Sequence, residues 1–283
     1  MTKKPLFVLF VLPFSLFLIS HTGPFFYGLS LSFFNSTGRF IGLRNYLALF
    51  KDQTFWNALQ FTFTYAGVVA VVMTVLGLLL GIFINSLERG QNFVKSILLI
   101  PWAISLTAWG LLLQIALSQQ FGVVNYFLLQ TGIIRERLSW LGNPSLAKVS
   151  VMLARVYKDV WFSALLFLTA RQNIPPELYE ESALSGAGPW QNFRYITVPM
   201  LRPAILYIGI ILFVFALQDF DLIYALTGGG PGFATEVVSL NIYRHGVRYG
   251  KYEYGIATSV LWSLIILGFT GVVFGPLQRR VVE

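Results

Sequence analysis

An all-α integral membrane protein with six transmembrane helices is the architecture this sequence predicts, and three observations carry it. Hydrophobic residues make up 56% of the 283 residues and charged residues 11%, where a soluble domain carries about a quarter. The chain alternates long uncharged runs with short polar connections. One polar stretch, Pro175 to Pro199, separates the fourth apolar run from the fifth.

The runs follow in order. Lys3-Lys4 precede an apolar segment from Pro5 to Phe34, interrupted by His21 and a few hydroxyls. A signal peptide shares that beginning, but this run is long enough to cross a bilayer needing about 20 residues and shows no small-x-small cleavage pattern, so it is read as a retained first span. Arg39 to Gln53 is polar, and Phe55 to Ser86 holds the second span. Glu88-Arg89-Gly90-Gln91 reads as a tight turn. A third span enters through Leu98 to Trp102 and ends near Gln119-Gln120, with Pro101 expected to kink or begin its helix. The fourth, from about Val149 to Ala170, carries Arg155, Lys158 and Asp159. A lone charge at a helix centre costs about 2.5 to 3.5 kcal/mol on insertion scales, so these residues should not face lipid. Arg155 and Asp159 lie four apart and can pair. The three form either a solute-pathway or partner-facing patch, or a neutralised pair near the outer interface. A fifth span runs from about Leu201 to Leu226, with Asp219 and Asp221 near its far end, and Thr227 to Gly232 stops it. The sixth covers Tyr254 to Leu277, closed by Gln278-Arg279-Arg280.

Six spans place both termini on one side. Lys and Arg outside the spans divide evenly between the two sides, but Lys3-Lys4 abut the first span, which often dominates, so both termini and the polar stretch are assigned to the cytoplasm. The net charge of +8 does not indicate nucleic acid, because the basic residues are scattered between apolar runs rather than clustered on one face. With zero cysteines there are no disulfides, thiol catalysis or cysteine metal sites.

The polar stretch reads as two short helices. Pro176 suits a helix start, Glu177, Glu180 and Glu181 complement the positive end of the dipole, and Gly186 is a natural stop. A second helix starts at Pro189; Trp190, Phe193 and Ile196-Thr197 give it an apolar face, and Pro199 should end it before the fifth span. Such a pair is either a docking element or an ordinary loop over the cytoplasmic face of the bundle.

The pattern Glu180-x5-Gly186-x9-Ile196-x-Val198-Pro199 resembles the cytoplasmic motif of binding-protein-dependent ABC transporter permeases, Glu-Ala-Ala-x3-Gly-x9-Ile-x-Leu-Pro. Further matches are similar to the carbohydrate branch of that family: Gly42-Leu43-x-Asn45-Tyr46, Phe55-Trp56-x-Ala58-Leu59, Leu99 to Ser105, Ile174 to Glu180 and Phe220 to Pro231. They run in family order from about Gly42 to Tyr254. The resemblance implies a cytoplasmic coupling-helix loop, residues 172–199, that sits in a cleft of a separate ATPase. The residues expected to couple are Glu177, Tyr179, Glu180, Glu181, Ser182, Ser185, Gly186, Ala187, Trp190 and Phe193. Here Glu181 and Ser182 replace the family's two alanines and Ser185 its aspartate, which should make the docking side of the first helix more polar. The implied organisation is a first span and outer loop over 1–53, a permease core over 54–278 and a cytoplasmic tail over 279–283, in a bacterial or archaeal cytoplasmic membrane. The implied partners are a second permease, two ATPase subunits using ATP and magnesium, and an extracytoplasmic solute-binding protein delivering a sugar or sugar-like solute.

The chain itself shows no catalytic or metal constellation. Its Gly250-Lys251 pair has His245 where a P-loop needs its first glycine and Tyr252 where it needs Ser or Thr. His21 and His245 lie in unrelated contexts, and no Gly-x-Ser-x-Gly elbow occurs. An ion-coupled secondary transporter of a small polar solute is the alternative, and it would usually show inverted repeats and acidic ion ligands near mid-membrane. Candidates for contact with solute are Gln114, Trp161, Gln218, Asp221 and Tyr224, whose amides, carboxylate and aromatic faces suit sugar hydroxyls and rings; for each, bundle packing or helix capping is the competing role.

Overall fold

A computed structural model describes residues 4–87 and 89–282. Lys3, Glu88 and the side chains of Lys4, His21, Gln278, Arg279 and Arg280 lie outside what is described. Among the described residues the regular secondary structure is helical, apart from one isolated bridge between Phe34 and Phe40. In order the helices are α1 (Lys4–Leu31), α2 (Arg44–Lys51), α3 (Gln53–Asn85), α4 (Gln91–Ala103), α5 (Leu106–Ala116), α6 (Val123–Gln130), α7 (Pro144–Gln172), α8 (Glu177–Leu184), α9 (Pro189–Asn192), α10 (Val198–Leu217), α11 (Asp221–Leu226), α12 (Val238–Tyr243) and α13 (Tyr252–Val282). Five-residue π turns follow α9 (Phe193–Thr197) and α12 (Arg244–Arg248). Among the described residues, three helical stretches are long and apolar enough to cross a membrane: Gln53–Asn85, Pro189–Leu217 and Tyr252–Val272. The pair α4 and α5 makes a fourth if counted as one broken span.

Two expected boundaries change. The third span is not one kinked helix at Pro101: α4 runs through Pro101 to Ala103, and α5 leaves at 84° after a break at Ile104-Ser105. The break is sharp because Ile104 is extended and the Ser105 hydroxyl accepts a hydrogen bond from the Ala108 amide, capping a new helix. Pro199 likewise does not end the second short helix. The Phe193–Thr197 π turn carries the chain continuously from α9 into α10, and its wider spacing, with the Val198 amide on the Phe193 carbonyl, lets the helix pass the amide that Pro199 lacks.

The chain divides into two units, Met1–Asn57 with Asn241–Phe269, and Ala58–Leu240 with Thr270–Glu283. In the first, Asp52 caps the gap between α2 and α3, accepting hydrogen bonds from the Thr54 amide and hydroxyl and, at 2.6 Å, from the Tyr254 hydroxyl on α13. Burial pushes the Asp52 carboxyl up, but those bonds, with a weaker attraction from His245, outweigh it and hold the group below its ordinary value.

In the second unit α3 and α7 meet through small residues. A Cβ at Gly77 would stand 2.1 Å from Ser163 Oγ, and one at Gly81 would stand 2.8 Å from the Ala164 carbonyl and 2.9 Å from the Leu168 amide. Two glycines one turn apart let the backbones approach as a small-xxx-small seam, and Ser163 fastens it by donating to the Met73 carbonyl. Ile84, Ala164 and Leu168 form the buried cluster beside that seam, covered by Leu80, Val94, Leu98 and Leu165. The opposite side of α3 leaves Val71, Leu79 and Phe83 exposed, as a bundle facing lipid or another subunit requires.

Gly81→Val should lower stability by about 1 to 3 kcal/mol because its neighbours are backbone atoms that cannot turn away; unfolding in detergent measures this, and Gly67→Ala, with open space around it, serves as the control. For Asp52 the lowered folded value means its stabilising contribution is present at neutral pH and is lost as pH falls through that value, so Asp52→Asn should flatten the acid limb of a melting-temperature profile.

Candidate functional site

Two places in the second unit concentrate chemistry: the loop between α7 and α10, and a polar cluster where α3, α4, α7 and the end of α10 converge.

The loop begins where α7 ends at Gln172. After α8, Ser185 closes the helix and Gly186 takes a φ of +78°, a left-handed conformation that glycine adopts without steric cost. The Ala187 amide returns to the Ser182 carbonyl, and Gly188 opens α9 with its amide held by Gln191 Oε1 at 2.7 Å. The two helices are tied on one side. Tyr179 and Thr197 share a hydroxyl hydrogen bond of 2.9 Å, Ser182 Oγ donates to Asn192 Oδ1 at 2.8 Å, and the Arg171 guanidinium lies 4.0 Å from the centre of the Tyr179 ring. Ser182 therefore turns its hydroxyl toward α9. Ser185 turns its hydroxyl back to the Glu181 carbonyl. Glu177, Glu180, Glu181, Ser185 and Gly186 are exposed, as is Trp190, whose ring contacts Phe193 at 5.4 Å; Tyr179, Ser182, Ala187 and Phe193 are half-buried. Leu184 is 91% exposed, Trp190 71% and Tyr195 74%, so three large apolar side chains stand exposed on the loop along with three glutamates. Leu184 and Tyr195 are additions to the sequence-based set.

The polar cluster is centred on Arg155. Its guanidinium pairs with Asp159, one turn along α7, and its Nε lies 2.9 Å from Asp219 Oδ2 just beyond α10. The Nε–H points past that carboxylate rather than at it, so this contact is an ion pair and not a directed hydrogen bond. Tyr65 on α3 donates its hydroxyl to the same Oδ2 at 2.5 Å, and Lys158 Nζ lies 3.2 Å from the Trp102 carbonyl and 3.5 Å from Asp159 Oδ1. All five side chains are buried. The expected Arg155–Asp159 pair is present, and what the sequence left out is Asp219 and Tyr65.

This cluster forms one wall of a cavity of about 480 Å³, whose other walls include Met73, Trp102, Ile104, Ser105, Phe162 and Phe215. The Trp102 and Phe162 rings stack at 5.6 Å with planes 10° apart. None of the five solute candidates lines this cavity. Arg155, Lys158, Asp159 and Phe162 recur at helical spacing and share one face of α7, leaving Trp161 out of phase against Tyr157. Asp221 and Tyr224 lie exposed on α11, and Gln218 is exposed with its amide on the Val214 carbonyl. The chain unwinds between α10 and α11, and it is Asp219 in that gap that turns inward. Gln114 lies on a second cavity, of about 430 Å³, formed with residues 117–121 and 139–142.

Helices long and apolar enough to cross a membrane, packed around a cavity with a buried polar wall, define an integral membrane protein with a polar interior. The chain belongs to the family of binding-protein-dependent transport system inner membrane components, whose model matches residues 73–281. It is 35% identical over 231 residues to the trehalose/maltose transport system permease protein MalF of Thermococcus litoralis, covering 82% of this chain and 77% of that one. It is 34% identical over 246 residues to the sulfoquinovosyl glycerol transport system permease protein SmoG of Agrobacterium fabrum, covering 85% and 78%. Its fold matches a chain of a bacterial alginate ABC transporter, solved in complex with an alginate pentasaccharide-bound periplasmic protein, with a TM-score of 0.87 over 99% of this chain and 96% of that one at 25% identity.

Removing Arg155 leaves Asp159 with Lys158 but strips Asp219 of its cation. Arg155→Met should therefore destabilise the protein by about 3 to 5 kcal/mol, and adding Asp219→Asn to it, which restores a neutral cluster, should recover most of the loss. Denaturant unfolding of the single and double variants in detergent measures both.

Proposed function

We propose that this chain is a permease subunit of an ATP-driven importer for a sugar or sugar-like solute, spanning the membrane six times with both termini in the cytoplasm. The observation that supports it best is mechanical: α9, the second helix of the loop, is joined without a break to the span that borders the cavity. Pro189–Leu217 is one helix of 29 residues, about 43 Å long at 1.5 Å per residue. A displacement applied at Trp190 is delivered at Leu217, two residues before Asp219 in the charged cluster. α1, α7 and the broken α4–α5 pair supply the remaining spans. α7 crosses despite its charges because they face the cluster and not lipid.

In this reading the acidic and aromatic face of the loop sits in a cleft of a cytoplasmic ATPase, one of a pair that binds ATP and magnesium. A second permease completes the pathway, and an extracytoplasmic binding protein delivers the solute. The 480 Å³ cavity holds the solute in transit, with the Trp102 and Phe162 rings offering stacking faces and Ser105, Lys158 and Asp159 offering hydrogen bonds. ATP-driven closure moves α8 and α9 together, because Tyr179–Thr197 and Ser182–Asn192 make them one body.

Reconstitution with the partner subunits and a screen of sugars for stimulation of ATP hydrolysis tests the proposal. Glu180→Ala should reduce solute-stimulated hydrolysis and uptake together, and Gly186→Pro should abolish both, since proline holds φ near −65° where this position needs +78°. Wild-type uptake and stimulation in both variants would refute the coupling role.

A further inference from the structure

The second cavity is not accounted for by that mechanism. It is walled by the end of α5, the turn after it and the segment leading into α7, and its polar side chains are Gln114, Ser118, Gln119, Gln120, Ser139 and Trp140. No Asp, Glu, Lys or Arg lines it. Its frame is rigid. The buried Asn125 on α6 donates to the Leu138 carbonyl at 2.9 Å and accepts from the Leu138 amide at 3.1 Å and the Trp140 indole at 3.0 Å, clamping one wall to the other. The turn is wound so closely that a Cβ at Gly122 would stand 2.3 Å from the Ser118 carbonyl. Within that frame the Gln114 and Gln119 amides make no hydrogen bond to the chain among the described residues, and Gln120 Oε1 has only a 3.4 Å contact from the Ser118 hydroxyl. All three glutamines are exposed at the mouth of the pocket, so a solute meets their amides without displacing a protein partner.

The two cavities lie at different heights on the same helices. The outer one ends at Gly142, beside the Asn143 cap of α7, while Lys158 of the inner one is fifteen residues further on, about 22 Å along the axis. α5 runs antiparallel beside α7, held by the Trp109 indole donating to the Ala154 carbonyl at 2.9 Å. Ser105 and Leu106 at its start line the inner cavity, and Gln114 to Leu117 at its end line the outer one.

We infer that the outer cavity is a second saccharide-binding station, one that receives an uncharged sugar ring before it reaches the inner cavity; this rests on the importer reading above. Primary amides offer donors and acceptors together, as vicinal sugar hydroxyls require, and the Trp140 indole supplies an apolar face for the ring. The neutral lining selects for hydroxyls, whereas the inner cavity presents Lys158 and Asp159.

The absence of cysteine makes the test clean, because Ser139→Cys or Ser118→Cys introduces the only thiol of this chain. Either variant, in the complete transporter in lipid nanodiscs, is labelled with a membrane-impermeant maleimide, alone and with millimolar maltose, trehalose or the acyclic polyol sorbitol, and separately with solute-free binding protein. Maltose or trehalose should slow labelling several-fold while sorbitol does not, and Gln114→Ala with Gln119→Ala should remove the protection. Labelling unchanged by both sugars, or slowed equally by sorbitol, would overturn the inference, as would protection by the solute-free binding protein alone, which would make the cavity its docking surface. Sugar-stimulated ATP hydrolysis without protection defeats this inference only; absence of stimulation by every sugar screened defeats the importer reading itself.

Discussion

Arg155 sets the terms for the interior of the larger unit. A guanidinium buried in an apolar bundle is tolerable only with its charge matched and its position enforced by partners on other elements. Two carboxylates do this. Asp159 comes from the same helix and needs nothing but helical spacing, whereas Asp219 requires the chain to unwind after Leu217 so that a residue beyond α10 turns inward. Tyr65 occupies the second approach to Asp219 from α3. With Lys158 beside Asp159, two cations face two carboxylates and the group is neutral as a whole. The unwound gap, the α3–α7 seam and the cavity wall all converge on this balance.

In the proposed importer, the same balance gives a lever ending at Leu217 something to act on. Packed apolar surfaces slide by small amounts at little directional cost, but an ion pair changes energy steeply with separation when water is excluded. A helix that shifts Asp219 relative to Arg155 therefore shifts the wall of the cavity and not simply its lining side chains. At the other end, the loop is held together as one piece. Its internal hydrogen bonds lie on the inner side and its uncommitted apolar and acidic groups on the outer side.

Much of this was legible in the sequence because it depends on local chemistry. The helical fold follows from uncharged runs, α8 and its stop follow from Pro176, three glutamates and Gly186, and Arg155–Asp159 follows from a spacing of four. What was not legible depends on partners distant in the chain. Nothing near Tyr65 marks it as the companion of Asp219, since the two are 154 residues apart. Between Asp219 and Asp221 a periodic reading cannot choose, because the helix ends between Leu217 and Asp221 and the phase is lost there. Ser182 shows the same limit, since its acceptor, Asn192, lies beyond the turn at Gly186.

The break between α4 and α5 shows how these constraints interlock. A helix that stops inside an apolar bundle exposes the carbonyls of its last turn, and each must find a donor. At Trp102 the donor is Lys158, which thereby serves two ends: its ammonium satisfies a carbonyl left free by the 84° turn, and its charge sits against Asp159. Without the break, Lys158 would lack its acceptor; without Lys158, the break would leave the Trp102 carbonyl without its donor beside the cavity. The polar floor of the cavity is therefore a requirement of the helix geometry, and a substitution at Lys158 acts on the break and on the charge balance together. That is why charge at this place is compatible with an apolar span, and why Ile104 and Ser105, freed from helical hydrogen bonding, are available to line the space they open.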